Sequence, residues 1–218
     1  PVTCQLRGKL KRGPRTGDLA AIGDRVEITL QPDGSGAVEN ILPRKSALVR
    51  TAPTGRGEYR QVLLANADLV LLVFACRDPD PHVRMLDRFL VICEKQELAP
   101  LIVINKLDLS RLDEVRQVFD RYRGLGYRVI YTSTRSGEGI AELRSALAGK
   151  ISALAGPSGV GKTSLLNALQ PELGMEVKEV SKTTSKGQHT TVTRQLFKLD
   201  GGGYLADMPG IRALALWD

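Results

Sequence analysis

Two short motifs hold most of the chemistry, and they stand in an unusual chain order. Gly156-Pro157-Ser158-Gly159-Val160-Gly161-Lys162-Thr163, followed by Ser164, matches GxxxxGK[ST] in full. Glycines at that spacing let backbone N–H groups turn inward around a phosphate, and the adjoining helix N-terminus favours the anion. Lys162 is placed to reach the β- and γ-phosphates, and the Thr163 hydroxyl to ligate Mg²⁺. About fifty residues earlier lies Asn105-Lys106-Leu107-Asp108, after the apolar run Leu101–Ile104. A carboxylate at Asp108 can accept from both N1–H and the exocyclic amine of guanine, an arrangement adenine does not offer. Asn105 would brace the neighbouring loops, and the stem of Lys106 would lie over the base. Both halves of a guanine-nucleotide site are therefore present, with the base reader ahead of the phosphate cradle.

Three further segments complete the set. Thr132-Ser133-Thr134 resembles the SAK loop of GTPases, whose backbone contacts the guanine O6, although Thr134 replaces the usual alanine. Asp207-Met208-Pro209-Gly210 matches DxxG, which gives Asp207 a Mg²⁺ role through water and the Gly210 N–H a contact to the γ-phosphate. The next residue is Ile211, which cannot hydrogen-bond, so another group must place the attacking water. His189, in Gly187-Gln188-His189-Thr190-Thr191, lies where a switch I loop belongs. Its imidazole can orient or deprotonate water near neutral pH. Either Thr190 or Thr191 would complete the Mg²⁺ shell. His82, beside prolines at a helix start, reads as a surface residue.

Those motifs need strands and helices to hold them. From Val62 onward, apolar runs alternate with helical patterns: strands at 69–75, 101–104, 128–131 and 151–155, and helices near 81–96, 110–124, 139–147 and from Lys162 to Leu169. Ser110 reads as an N-cap. Residues 195–199 and 204–206 pair across Gly201-Gly202-Gly203. The alternation predicts an α/β fold with a mostly parallel sheet, helices on both faces and an antiparallel last pair. Residues 1–60 read instead as about five short strands, suggesting a small OB-fold barrel, with 50–60 as a flexible connection. The boundaries expected are thus 1–60 and 61–218.

The 218 residues carry a net charge of +7. Residues 1–60 hold eleven Lys and Arg against six Asp and Glu, which points to a polyanionic partner for that segment. No apolar run approaches a membrane span, and no signal segment opens the chain. Its start at Pro1 leads to the expectation of preceding residues. Cys4, Cys76 and Cys93 are too scattered for a disulfide framework, which fits a reducing cytoplasm, and Cys76 and Cys93 read as core fillers.

In chain order the guanine motif and SAK-like loop come first, then the phosphate loop, the Gly-Gln-His-Thr-Thr segment and DxxG. With an OB-like start and the junction Asn66-Ala67-Asp68, the chain closely resembles the RsgA (YjeQ/YloQ) family of circularly permuted GTPases of the bacterial small ribosomal subunit. That resemblance implies slow GTP hydrolysis stimulated by the 30S subunit late in its maturation, with the OB domain on 16S rRNA. It implies a cytoplasmic monomer using GTP/GDP and Mg²⁺. Zinc would belong to a C-terminal domain beyond Asp218, since these cysteines cannot build the family's three-cysteine, one-histidine site. Two alternatives stay open: a GTP/GDP-gated RNA-binding module with incidental hydrolysis, and a permuted GTPase serving the 50S subunit. Permutation also leads the chain from DxxG directly into any downstream domain, so residues 210–218 are expected to be weakly restrained.

Overall fold

A computed structural model describes residues 2–11, 17–54, 57–173 and 195–207. They fall into two units, Pro1–Ala67 and Asp68–Asp218. The boundary lies beyond the expected one at residue 60, because the supposed connection is part of a strand pair.

The first unit is built from β-strands. β1 (Cys4–Leu6), β2 (Val26–Leu30) and β3 (Gly36–Ile41) form one sheet in the order β1-β3-β2, with β2 and β3 antiparallel. The Asp33 carboxylate accepts from the Ser35 N–H at 2.9 Å and shapes the turn between them. β4 (Ala47–Thr54) and β5 (Gly57–Ala65) make a second, antiparallel sheet, so the expected flexible connection is a hairpin. Pro53 and Gly57 belong to its strands rather than to a linker. Arg44 grips both oxygens of Asp24 at 2.7 and 2.8 Å, a bidentate pair. Asp18 accepts from the Tyr59 hydroxyl at 2.6 Å and from the Val62 N–H at 2.8 Å. These bonds hold the loop around Asp18–Asp24 against the strands.

The second unit is a six-stranded sheet with β6 (Leu69–Ala75) near its middle. β7 (Pro100–Asn105) and β8 (Arg128–Tyr131) lie on one side; β9 (Ile151–Ala155), β11 (Tyr204–Asp207) and β10 (Gln195–Lys198) lie on the other. Every neighbouring pair is parallel except β10–β11 at the edge. Among the described residues four α-helices connect the strands: α1 (Val83–Lys95), α2 (Leu112–Gly124), α3 (Ile140–Leu147) and α4 (Lys162–Leu169). Leu71, Val73 and Ala75 of β6 join a core with Leu143 and Leu147 of α3 and Leu165 and Leu169 of α4. Phe74 projects from the other face, where its ring meets Phe89 of α1 edge-on at 6.3 Å. Helices therefore cover both faces, which is why β6 reads as an unbroken apolar run.

Some details differ from the sequence expectation. α2 begins at Leu112 with Arg111 as N-cap and no side-chain cap, because Leu107–Leu109 forms a 3-10 turn and leaves Ser110 extended. Cys93 is a core residue, but Cys76 is only half-buried and its thiol donates to the Lys106 carbonyl at 2.9 Å. Burial pushes the Cys93 thiol up to about 12 and also raises Cys76. At pH 8 about one Cys93 in ten thousand would be thiolate. A thiol reagent should thus label exposed Cys4 first, Cys76 slowly and Cys93 only after unfolding, as mass spectrometry of the labelled peptides would show. Rapid labelling of Cys93 in the native state would contradict the packing of α1.

Candidate functional site: a nucleotide cradle

The chain enters the second unit at β6, builds outward through β7 and β8, then crosses back to β9 on the opposite side of β6. Such a reversal opens a crevice at the carboxyl ends of the strands, where ligands bind in open α/β sheets. Three of the sequence motifs begin there: Asn105 ends β7, Gly156 follows β9, and Asp207 ends β11.

Asn105 joins the loops. It is fully buried, its Nδ2 donates to the Val160 carbonyl of the phosphate loop at 2.9 Å, and its Oδ1 accepts from the Thr132 hydroxyl at 3.1 Å. One side chain thus ties the loops after β7, β8 and β9. Backbone bonds reinforce the link: the Cys76 N–H donates to the Asn105 carbonyl at 2.9 Å and the Leu107 N–H to the Thr132 carbonyl at 3.1 Å. Thr132 opens the SAK-like segment, but the motif gave it no task of its own; its bonds to Asn105 and Leu107 do.

Ser133 is buried and its hydroxyl donates to Asp108 Oδ1 at 2.5 Å. The Ser133 hydroxyl oxygen also accepts from the Arg135 and Ser136 N–H groups, each at 3.2 Å, so it is fixed by its own turn. The bond orients the exposed Asp108 carboxylate and leaves lone pairs for further donors. Thr134 is partly exposed in the same loop. Leu107 is buried, and Lys106 has φ 64°, a left-handed conformation, with its ammonium donating to the Asp78 carbonyl.

The phosphate loop has the backbone of an anion cradle. Gly156, Gly159 and Gly161 have φ of 145°, 80° and 89°. A Cβ on Gly156 would sit 2.1 Å from the Val73 carbonyl oxygen, and one on Gly161 2.4 Å from Asn105 Nδ2. Pro157 and Val160 are buried and Ser158 is exposed. The Lys162 ammonium donates to the Gly156 and Pro157 carbonyls at 3.0 and 2.6 Å, which places the charge over the loop. Thr163 and Ser164 come next in the first turn of α4, both partly buried.

Asp207 is registered opposite Leu154 of β9, just before the loop, so its carboxylate and the Thr163 hydroxyl share one end of the sheet. Hydroxyl and carboxylate oxygens beside a phosphate cradle are the donor set of a hard divalent cation, and the residues present fit Mg²⁺. His189, Thr190, Thr191 and Gly210 lie outside the described residues, as does the segment 210–218.

A GxxxxGK[ST] loop after β9 and an NKxD loop after β7, joined through Asn105 but reversed in chain order, mark a circularly permuted P-loop GTPase. Comparison with known proteins identifies which. The model of the RsgA GTPase family matches residues 41–217. Small ribosomal subunit biogenesis GTPase RsgA of Gemmatimonas aurantiaca is 46% identical over 217 residues, 99% of this chain and 70% of the relative. The protein of the same name from Thermotoga maritima is 44% identical, covering 100% of this chain and 70% of its own length. Among solved structures, YjeQ from Thermotoga maritima matches with a TM-score of 0.75 at 41% identity, over 98% of this chain and 68% of that one. YloQ, a circularly permuted GTPase, matches at 0.68 and 29%, over 99% and 64%. The chain belongs to the RsgA GTPase family. It is a GTP-hydrolysing enzyme that binds guanine nucleotides.

Proposed function

We propose that this enzyme hydrolyses GTP to GDP and phosphate during late maturation of the small ribosomal subunit, bound to the 30S particle through 16S rRNA. The observation that carries the reading is the Asn105 link, which builds one guanine-nucleotide site from three loops in permuted order. The relatives' names supply the particle. The basic excess of residues 1–60 suits a polyanionic surface, and five strands in that unit suit an OB-like barrel. The described residues contain no helix long and apolar enough to cross a membrane. A cytoplasmic monomer is the simplest setting for this work, and a zinc domain would follow Asp218.

Each residue then has a task. Asp108 accepts from the guanine N1–H and amine, Lys106 covers the base, and Ser133 and Thr134 face its O6 edge. Lys162 and the loop N–H groups hold the β- and γ-phosphates. Thr163, Asp207 and either Thr190 or Thr191 would hold Mg²⁺, which when bound neutralises phosphate charge. The Gly210 N–H meets the γ-phosphate, and His189 orients the attacking water where Ile211 cannot.

Turnover measured with isolated 30S and 50S particles tests the assignment. The 30S particle should stimulate hydrolysis, and His189→Ala should reduce stimulated turnover about 100-fold with little change in GTP affinity. Stimulation by 50S alone would refute the small-subunit reading, and unchanged turnover in the variant would refute the role of His189.

A further inference from the structure

The far end of the phosphate-loop helix is tied to the hairpin that leads into DxxG. Gln170, the C-cap residue of α4, is buried. Its Nε2 donates to Asp200 Oδ1 at 2.8 Å, and its Oε1 accepts from the Asp200 N–H at 3.1 Å. Both ends of one side-chain amide thus close a ring on one residue in the β10–β11 turn. Arg144 of α3 adds donations to the last carbonyls of α4, Ala168 at 3.0 Å and Leu169 at 3.5 Å.

The turn is itself held at a second point. The Gly149 N–H donates to the Gly202 carbonyl at 3.0 Å and the Tyr204 N–H to the Lys150 carbonyl at 2.7 Å. A Cβ on Gly203 would lie 2.7 Å from the Leu147 carbonyl oxygen, so the glycine turn permits this close approach. The hairpin is therefore fastened to the start of β9 as well as to the end of α4.

Together these contacts close a frame: β9, phosphate loop, α4, Gln170–Asp200, β11, and back to β9 through the β11–β9 ladder. α4 carries Thr163 at its first turn, and β11 carries Asp207 at its end. The ladder fixes Asp207 against β9, but it does not fix the helix on which Thr163 rides. An eight-residue helix is about 12 Å long, so a small tilt at its Gln170 end is carried to its first turn. We propose that Gln170 is a positioning residue for the cation site, setting the separation of the Thr163 hydroxyl and the Asp207 carboxylate through its double bond to Asp200. The inference rests on the reading of those two groups as Mg²⁺ ligands.

Binding of fluorescent GDP, titrated with Mg²⁺ and repeated in EDTA, tests it. Wild-type protein should bind GDP more tightly as Mg²⁺ is added. Gln170→Leu should need about tenfold more Mg²⁺ for half the effect, with GDP affinity in EDTA within about twofold of wild type. Asp200→Asn keeps the acceptor oxygen and the N–H and should behave as wild type. Asp200→Ala keeps only the N–H and should fall between; it also serves if the leucine variant does not fold. An unshifted Mg²⁺ midpoint in the folded variants would overturn the proposal, as would an equal loss of affinity with and without Mg²⁺. Wild-type binding indifferent to Mg²⁺ would instead remove the ligand reading, and the positioning role with it.

Discussion

Asp108→Asn is expected to lower GTP affinity several hundredfold while leaving the fold intact. The asparagine oxygen still accepts from the Ser133 hydroxyl, which meets Asp108 Oδ1 at 2.5 Å, so the loop keeps its internal bond. What is lost is one charge-assisted acceptor pair for the guanine N1–H and amine. Hydrogen bonds to a charged group contribute about 1.5–3 kcal/mol each, and the amide now presents a donor towards a donor. A total near 3–4 kcal/mol corresponds to a factor of several hundred. Xanthine nucleotides carry a carbonyl where guanine has the amine, so they should bind the variant better than the wild type. Isothermal titration with GDP and with xanthosine diphosphate checks both halves. Retained GDP affinity in the variant would mean that Asp108 does not read the base.

Gly161→Ala should be as damaging by a different route. At φ 89° an alanine is strained by about 1–2 kcal/mol, and its Cβ would stand 2.4 Å from Asn105 Nδ2. Asn105 cannot withdraw freely, because it is buried and bonded on both sides to Val160 and Thr132. Pushing it aside leaves buried polar atoms unpaired at about 1–3 kcal/mol each. Nucleotide affinity should fall at least about 100-fold, with a lower unfolding temperature in a thermal melt. Gly126→Ala is the control: φ is 93° there too, but the added carbon meets nothing within 4 Å. It should lower stability by about 1 kcal/mol and leave nucleotide binding unchanged. Equal effects of the two substitutions would show that backbone strain alone matters, not the Asn105 link.

How far the sequence disclosed this depends on the scale of the interaction. The parallel sheet was legible because β6 and β7 are buried on both faces and so carry unbroken apolar runs. The GxxxxGK[ST] and NKxD motifs were legible because backbone conformation and base chemistry restrict the residue types allowed. Long-range pairing was not. Strands β4 and β5 contain Arg50, Thr51, Pro53, Glu58 and Arg60, with no apolar alternation to announce them, and the hairpin exists through its ladder. The unit boundary moved from residue 60 to 67 for that reason. Thr132 lies in the SAK-like segment, but its bond to Asn105 emerges only when β8 is laid beside β7. The Gln170–Asp200 ring joins residues thirty positions apart and leaves no local pattern. Ser110 failed as an N-cap because a 3-10 turn moved the start of α2 beyond it.

Competition for a bound fluorescent GDP tests the central claim most directly, that motifs in inverted order close into one guanine-nucleotide site. Unlabelled GTP and GDP should displace the probe at concentrations at least about 1,000-fold lower than ATP and ADP, the discrimination expected of a site built to hydrogen-bond its base. Displacement by adenine and guanine nucleotides at similar concentrations would contradict the account.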